Sequence, residues 1–125
     1  WCPINPANMT AKADDNIYVL GDASMASSMP KSGFSANSQA KVAANHIRGA
    51  LTGSRVYEPR FANTCWSLIG TNDGIKVGAN YKAGTEKIDV TDKFVSQGDE
   101  TADVRKATYE ESIGWYEGIT TDMVS

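Results

Sequence analysis

The sequence predicts an α/β region over residues 1–55, the end of a domain built on a parallel sheet, followed by a small α+β domain over 56–125. An apolar run at 17–20 ends in Gly-Asp, a helical period covers 35–51, and short strand patterns begin after residue 63. Hydrophobic residues make up 41% and charged residues 22% of the 125 positions, which is typical of a globular chain.

Charge and hydropathy argue against nucleic-acid binding and against a membrane span. The net charge is -3 without a basic block, which argues against nucleic-acid binding. No apolar run approaches the roughly 18 residues of a membrane span. The chain begins at Trp1 without the regions of a signal peptide, and its first recognisable element is the end of a motif. Either a signal peptide has been removed or the chain is a piece of a longer protein, and we expect the piece.

The run from Ile17 to Leu20 predicts a strand buried on both faces, as in a parallel sheet. Gly21 and Asp22 follow at its carboxyl end, where open α/β sheets bind ligands. Glycine lets a bulky ligand approach the backbone, and aspartate accepts hydrogen bonds from sugar or ribityl hydroxyls. An ordinary strand followed by an Asp turn remains the alternative.

Residues 35–51 predict a helix, with Ser32 or Ser35 as its N-cap and Gly49 or Gly53 near its C-cap. Its predicted buried face consists of small and aliphatic residues at spacings of three and four. These are Ala36, Ala40, Ala43, Ala44, Ile47 and Leu51.

The segment before this helix, Met29-Pro30-Lys31-Ser32-Gly33-Phe34, places a lysine beside a helix start. A helix N-terminus carries about half a positive charge and exposed N–H groups, so this arrangement suits an anion such as the N1 edge of a reduced flavin. The alternative is a Pro-Gly loop with a solvated lysine.

The second domain is predicted from shorter patterns. Apolar residues alternate with polar ones from Ile75 to Lys82, which predicts a strand, and residues 87–90 predict a partner for it. Gly84 lies in the turn region between them, and a terminal helix is predicted within 99–118.

These segments resemble the flavoprotein subunit of flavocytochrome c sulfide dehydrogenase, in its C-terminal portion. The resemblance is close over 17–51, from Gly-Asp-Ala-Ser through Met-Pro-Lys-Ser-Gly-Phe to Lys-Val-Ala-Ala, and continues at 63–65 (Asn-Thr-Cys), 73–75 and 114–116. The Gly-Asp element is shared with other disulfide-reductase-like flavoproteins, so the Pro-Lys-Ser-Gly and Asn-Thr-Cys segments are the specific ones.

The resemblance implies that residues 1–55 end an FAD-binding Rossmann-like domain and that 56–125 form the family's α+β C-terminal domain. It implies Cys65 as the catalytic residue, one half of a redox-active disulfide whose other cysteine lies outside this chain. No metal ligand is implied. The implied cofactor-binding residues are Gly21, Asp22, Pro30, Lys31, Ser32, Gly33, Phe34, Asn37 and Trp115.

The implied activity is the FAD-dependent oxidation of sulfide in the periplasm, with electrons passed to haem c on a cytochrome subunit. Phe34 stands where the family has tyrosine, which puts in doubt any part of that hydroxyl in electron transfer. The chain lacks a Gly-x-Gly-x-x-Gly fingerprint, so alone it is not expected to bind FAD strongly or to be active.

Two other functions stay open. A sulfide:quinone oxidoreductase performs the same chemistry with a membrane acceptor. A non-catalytic docking or dimerisation lobe would bury Cys65 as an inert small hydrophobe. Cys2 is read as structural, and a pairing of Cys2 with Cys65 is also open.

Overall fold

A computed structural model describes all residues, Trp1–Ser125. Seven strands and two helices follow one another along the chain. They are β1 Cys2–Pro3, β2 Thr10–Ala11, β3 Asp14–Tyr18, β4 Ser24–Met25, α1 Gly33–Thr52, β5 Arg60–Gly70, β6 Asp73–Ala83, β7 Ile88–Val95 and α2 Ala102–Val124.

Tertiary contacts divide the chain into two units. The first comprises 1–64 and 79–93, and the second 65–78 and 94–125. The strands of the three-stranded sheet, in the order β5-β6-β7, contribute residues to both units. The domain boundary predicted near residue 55 stays a prediction.

The architecture is a small α+β domain with a three-stranded antiparallel sheet and two helices. The predicted Rossmann-like portion is not present. Strand β3 ends at Tyr18 and pairs antiparallel with β2, and the only parallel pairing joins the two-residue strands β1 and β4. Ile17 is 53% exposed and Leu20 37% exposed, so the apolar run at 17–20 is not a strand covered on both faces.

The core of the first unit gathers side chains from its loops, from α1 and from the sheet. Met9 and Ile88 are its largest fully buried apolar side chains, and Phe61 and Tyr81 join them from β5 and β6. Side chains of the sheet therefore share one core with Ile4 and Met9 near the N-terminus.

Helix α1 confirms the predicted element and its caps. Ser32 is the N-cap, since its hydroxyl accepts a hydrogen bond from the Ser35 N–H, and Gly53 is the C-cap with a left-handed φ of 68°. The predicted buried face is largely wrong. Ala43 is buried, whereas Ile47 is 36% exposed and Leu51 is 80% exposed.

The buried side of α1 is partly polar. It consists of Ser35, Gln39, Val42 and Ala43. The Ser35 and Gln39 side chains form hydrogen bonds to other segments. Because these two residues are polar, a search for apolar periodicity does not find this face.

Strands β6 and β7 confirm the predicted pair, and the Gly84 N–H donates to the Lys87 carbonyl across the predicted turn, at 2.8 Å. Of the alternating residues, Ala79 and Tyr81 are buried, whereas Val77 is 52% exposed. Strand β5 begins at Arg60.

In the second unit, α2 begins after Thr101, whose hydroxyl accepts a hydrogen bond from the Val104 N–H. This helix confirms the predicted terminal helix. Arg105 binds Asp73 at the start of β6, with Nη2 2.6 Å from Oδ1. Gly74 lies so close to α2 that an added Cβ would be 2.9 Å from the Tyr109 nitrogen.

Neither helix combines the length and apolarity that crossing a membrane requires. No three histidine, cysteine or carboxylate side chains come together as metal ligands would.

Candidate functional site at the start of helix α1

Asn63 connects β5 to the start of α1. The residue is 3% exposed, and its Oδ1 accepts hydrogen bonds from the hydroxyls of Ser32, at 2.5 Å, and Ser35, at 3.1 Å. Strand β5 therefore holds the N-cap and the first turn of the helix through a single buried amide.

The first turn of α1 contains no acidic side chain. The partial positive charge of the helix start is therefore not offset by a neighbouring carboxylate within the helix. Pro30 and Gly33, on either side of the Lys31-Ser32 pair, are exposed. This end of the helix suits a negatively charged or electron-rich group.

Gly21 and Gln39 fix the Gly-Asp segment on the next turn of α1. The Gly21 N–H donates to Oε1 of Gln39 at 2.7 Å, and Nε2 of this buried glutamine donates to the Met29 sulfur at 3.7 Å. Gly21 has φ 64°, a conformation in which a side chain is strained, and an added Cβ would lie 3.4 Å from that of Ala36. The glycine thus permits a close approach of the short 3₁₀ turn 21–23 to the helix.

Lys31 holds the same turn from the other side. Its ammonium donates to the carbonyl of Asp22 and, at 3.3 Å, to that of Ser24. It also lies 4.4 Å from the centre of the Trp1 ring. The carboxylate of Asp22 is exposed and forms no ion pair, so it can accept hydrogen bonds from hydroxyl groups.

A cleft of about 260 Å³ opens beside these groups. Its walls include Trp1, Gly21, Met25, Pro30, Lys31 and Gln39. Ligand pockets that enclose a whole drug-sized molecule have volumes of about 300–1,000 Å³, so this cleft suits one part of a larger cofactor.

Cys65 lies in β5 two residues after Asn63 and is half-buried. Side chains two apart in a strand point to the same face, so Cys65 follows Asn63 along one face of β5. Cys2 is also half-buried, and the structure contains no disulfide.

In the second unit, Trp115 packs on Trp66, the residue after Cys65. The two ring centres are 5.8 Å apart and the ring planes are inclined by 34°. Both tryptophans are half-buried. Such a tilted pair is a favourable aromatic contact, so packing explains the position of Trp115.

A family model described as flavocytochrome c sulphide dehydrogenase, flavin-binding, matches residues 57–124, more than half of the chain. The chain belongs to this family. Membership confirms the resemblance and supports a flavoprotein role with FAD as the cofactor. The matched span includes Asn63, Cys65, Trp66 and Trp115, whereas the helix start and the Gly-Asp segment precede it.

The residues at the start of α1 fit part of a flavin. The donors there are a helix N-terminus without acidic side chains and an ammonium group, which suit the electron-rich N1 edge of the ring. Gly21 lines the cleft without a side chain, and the exposed Asp22 carboxylate suits ribityl hydroxyls.

The structure brings many of the predicted site residues together in the first unit. The Lys31 ammonium donates to the carbonyl of Asp22, which follows Gly21. Ser32 is the N-cap of the helix that contains Phe34 and Asn37. The predicted roles of all of them, and of Cys65 and Trp115, stay predictions. Sequence reasoning gave no role to Asn63 or Gln39, because a buried amide looks like a surface amide in a single sequence.

Proposed function

We propose that this chain is the C-terminal part of an FAD-dependent sulfide dehydrogenase in which Cys65 is one half of a redox-active disulfide. The observation that carries the proposal is the family match over 57–124, which includes Cys65 in the same strand as Asn63. Membership suggests a flavin-dependent oxidoreductase, and we infer the sulfur donor and the cytochrome acceptor from the resemblance.

The local structure of β5 supports this role for Cys65. Asn63 is fixed to the start of α1 by two hydrogen bonds. A strand rises about 3.3 Å per residue, so the Cα of Cys65 follows that of Asn63 by roughly 7 Å along the same face. A cysteine so close to a fixed strand position is held in place better than one on a loop.

The chemistry is thiol–disulfide exchange. Hydrosulfide attacks one sulfur of the disulfide, the S–S bond breaks, and a persulfide forms on the attacked cysteine while the other cysteine leaves as a thiolate. The thiolate carries the electron pair that the substrate has lost. The second cysteine belongs to another part of the protein.

When bound, FAD supplies a two-electron acceptor that can be reoxidised in single-electron steps. This chain's part is positioning and electrostatics. The start of α1 and the Lys31 ammonium stabilise negative charge beside the cleft, and Asp22 binds hydroxyl groups. Haem c on a cytochrome subunit is the proposed next acceptor, and the periplasm is the proposed compartment, because a disulfide persists there.

The test is Cys65→Ser in the complete flavoprotein, with Cys2→Ser as the matched control. We expect sulfide-dependent reduction of cytochrome c to be lost in the first variant and kept in the second, while the flavin absorbance of both is unchanged. Full activity of Cys65→Ser would refute the proposal.

Two further measurements separate the alternatives. Turnover with a quinone but not with cytochrome c would show that the electron acceptor is a quinone and would favour a sulfide:quinone oxidoreductase. A Cys65 that stays unreactive in native thiol titration, before and after reduction of disulfides, would favour an inert docking lobe.

A further inference from the structure

A second cleft, of about 490 Å³, lies within the first unit and is larger than the one at the helix start. It is bounded by α1 and by the three strands of the sheet. Its walls include Ser38, Arg60, Ala62, Asn80, Lys82 and Thr91. None of these residues belongs to the flavin site described above.

The polar side chains that line this cleft are hydrogen-bond donors, and none of them is a carboxylate. Arg60 and Lys82 are both exposed and neither takes part in an ion pair. Two unpaired cations beside one cleft are notable in a chain whose net charge is -3. The field in this cleft therefore favours an anion.

Neutral donors complete the lining. Asn80 and Lys82 are two apart in β6 and point to the same exposed face, and Thr91 is exposed on the neighbouring β7. The Ser38 oxygen accepts the Ala62 N–H at 3.0 Å, so its own hydroxyl proton remains to be donated.

Phe61 and Tyr81 alternate with these residues along β5 and β6, so their side chains point to the opposite face, into the core. They border the cleft but offer it little surface, since they are 2% and 6% exposed. The volume of the cleft falls within the range of about 300–1,000 Å³ found for small-molecule sites.

We propose that this cleft binds a phosphate-type oxyanion, with Arg60 and Lys82 as the charged donors and Ser38, Asn80 and Thr91 as neutral ones. The anion is either free or carried on a small organic molecule. Guanidinium groups bind such oxyanions through paired N–H donors, and lysine adds a point charge. The site is independent of the proposed sulfide chemistry.

The experiment is equilibrium dialysis of the complete flavoprotein against radiolabelled inorganic phosphate at constant ionic strength, with phenyl phosphate as competitor. We expect saturable binding, weakened about tenfold by Arg60→Gln and, separately, by Lys82→Gln, because each removes a hydrogen bond from a charged group. Lys106→Gln on α2 makes the same change in net charge and should leave binding unchanged.

The two probes distinguish the source of the anion. Stronger competition by phenyl phosphate than by unlabelled phosphate indicates an organic ester, and equal competition indicates the free ion. No saturable binding would overturn the proposal. Equal weakening by Lys106→Gln would also overturn it, because it would show an effect of net charge alone. Unchanged flavin absorbance and an unchanged urea midpoint show that each variant is folded.

Discussion

Replacing Asn63 by alanine tests the connection between β5 and the start of α1. The substitution removes the shared acceptor of the Ser32 and Ser35 hydroxyls, at 2.5 Å and 3.1 Å. Ser32 is half-buried and can bind water instead, which costs about 1 kcal/mol. Ser35 is 1% exposed, and an unsatisfied buried hydroxyl costs about 1–3 kcal/mol. The expected loss in the free energy of unfolding is therefore about 2–4 kcal/mol.

Urea unfolding followed by tryptophan fluorescence measures this loss. With a slope of about 2 kcal/mol per molar urea, the midpoint should fall by roughly 1–2 M. Asn80→Ala on β6 is the matched control, since Asn80 is exposed, and it should change stability by less than about 0.5 kcal/mol. A midpoint for Asn63→Ala equal to that of Asn80→Ala would refute the reasoning.

A double-mutant cycle isolates the hydrogen bond from other effects of the substitution. Ser35→Ala and Asn63→Ala should be less destabilising together than the sum of their separate effects, because the penalty for the unsatisfied Ser35 hydroxyl in Asn63→Ala disappears when that hydroxyl is also removed. A coupling free energy of about 1 kcal/mol or more is expected. Additive effects would show that the contact contributes nothing measurable.

Two further predictions concern the second unit. Gly74→Ala should destabilise the protein by about 1–3 kcal/mol, since the new Cβ would lie 2.9 Å from the backbone nitrogen of Tyr109, whereas Gly114→Ala meets open space and should be neutral or stabilising in the same urea titration. Thr101→Ala removes the N-cap bond to the Val104 N–H and should cost about 1 kcal/mol, while Thr101→Ser should retain most of the stability. Equal midpoints within either pair of variants would contradict the corresponding prediction.

The elements that sequence reasoning predicted correctly are those with local causes. The Ser32 N-cap and the Gly53 C-cap depend on backbone geometry within a few residues, and the Gly84 turn lies between two strand patterns. The same holds for α2, whose signal is a polar segment with apolar residues spaced along it, Tyr109, Ile113 and Tyr116. Local chemistry was enough to place them.

Prediction failed where burial depends on distant segments. The apolar run at 17–20 has the composition of a buried strand, but its first two residues are the end of β3, which pairs with β2 in an antiparallel ladder and leaves Ile17 exposed. On α1, apolar periodicity favoured a face containing Leu51, whereas hydrogen bonds select a face that contains Gln39. No local signal distinguishes an amide that will be buried from one that stays at the surface.

The two buried amides explain how the start of α1 can serve as a preformed site. Asn63 holds its first turn to β5, and Gln39 holds the Gly-Asp segment to its second turn. Both are nearly inaccessible to water, at 3% and 2% exposure, so breaking either set of bonds costs more than it would at the surface. A ligand that binds at the helix start therefore loses little free energy in ordering these segments, because the chain has ordered them already.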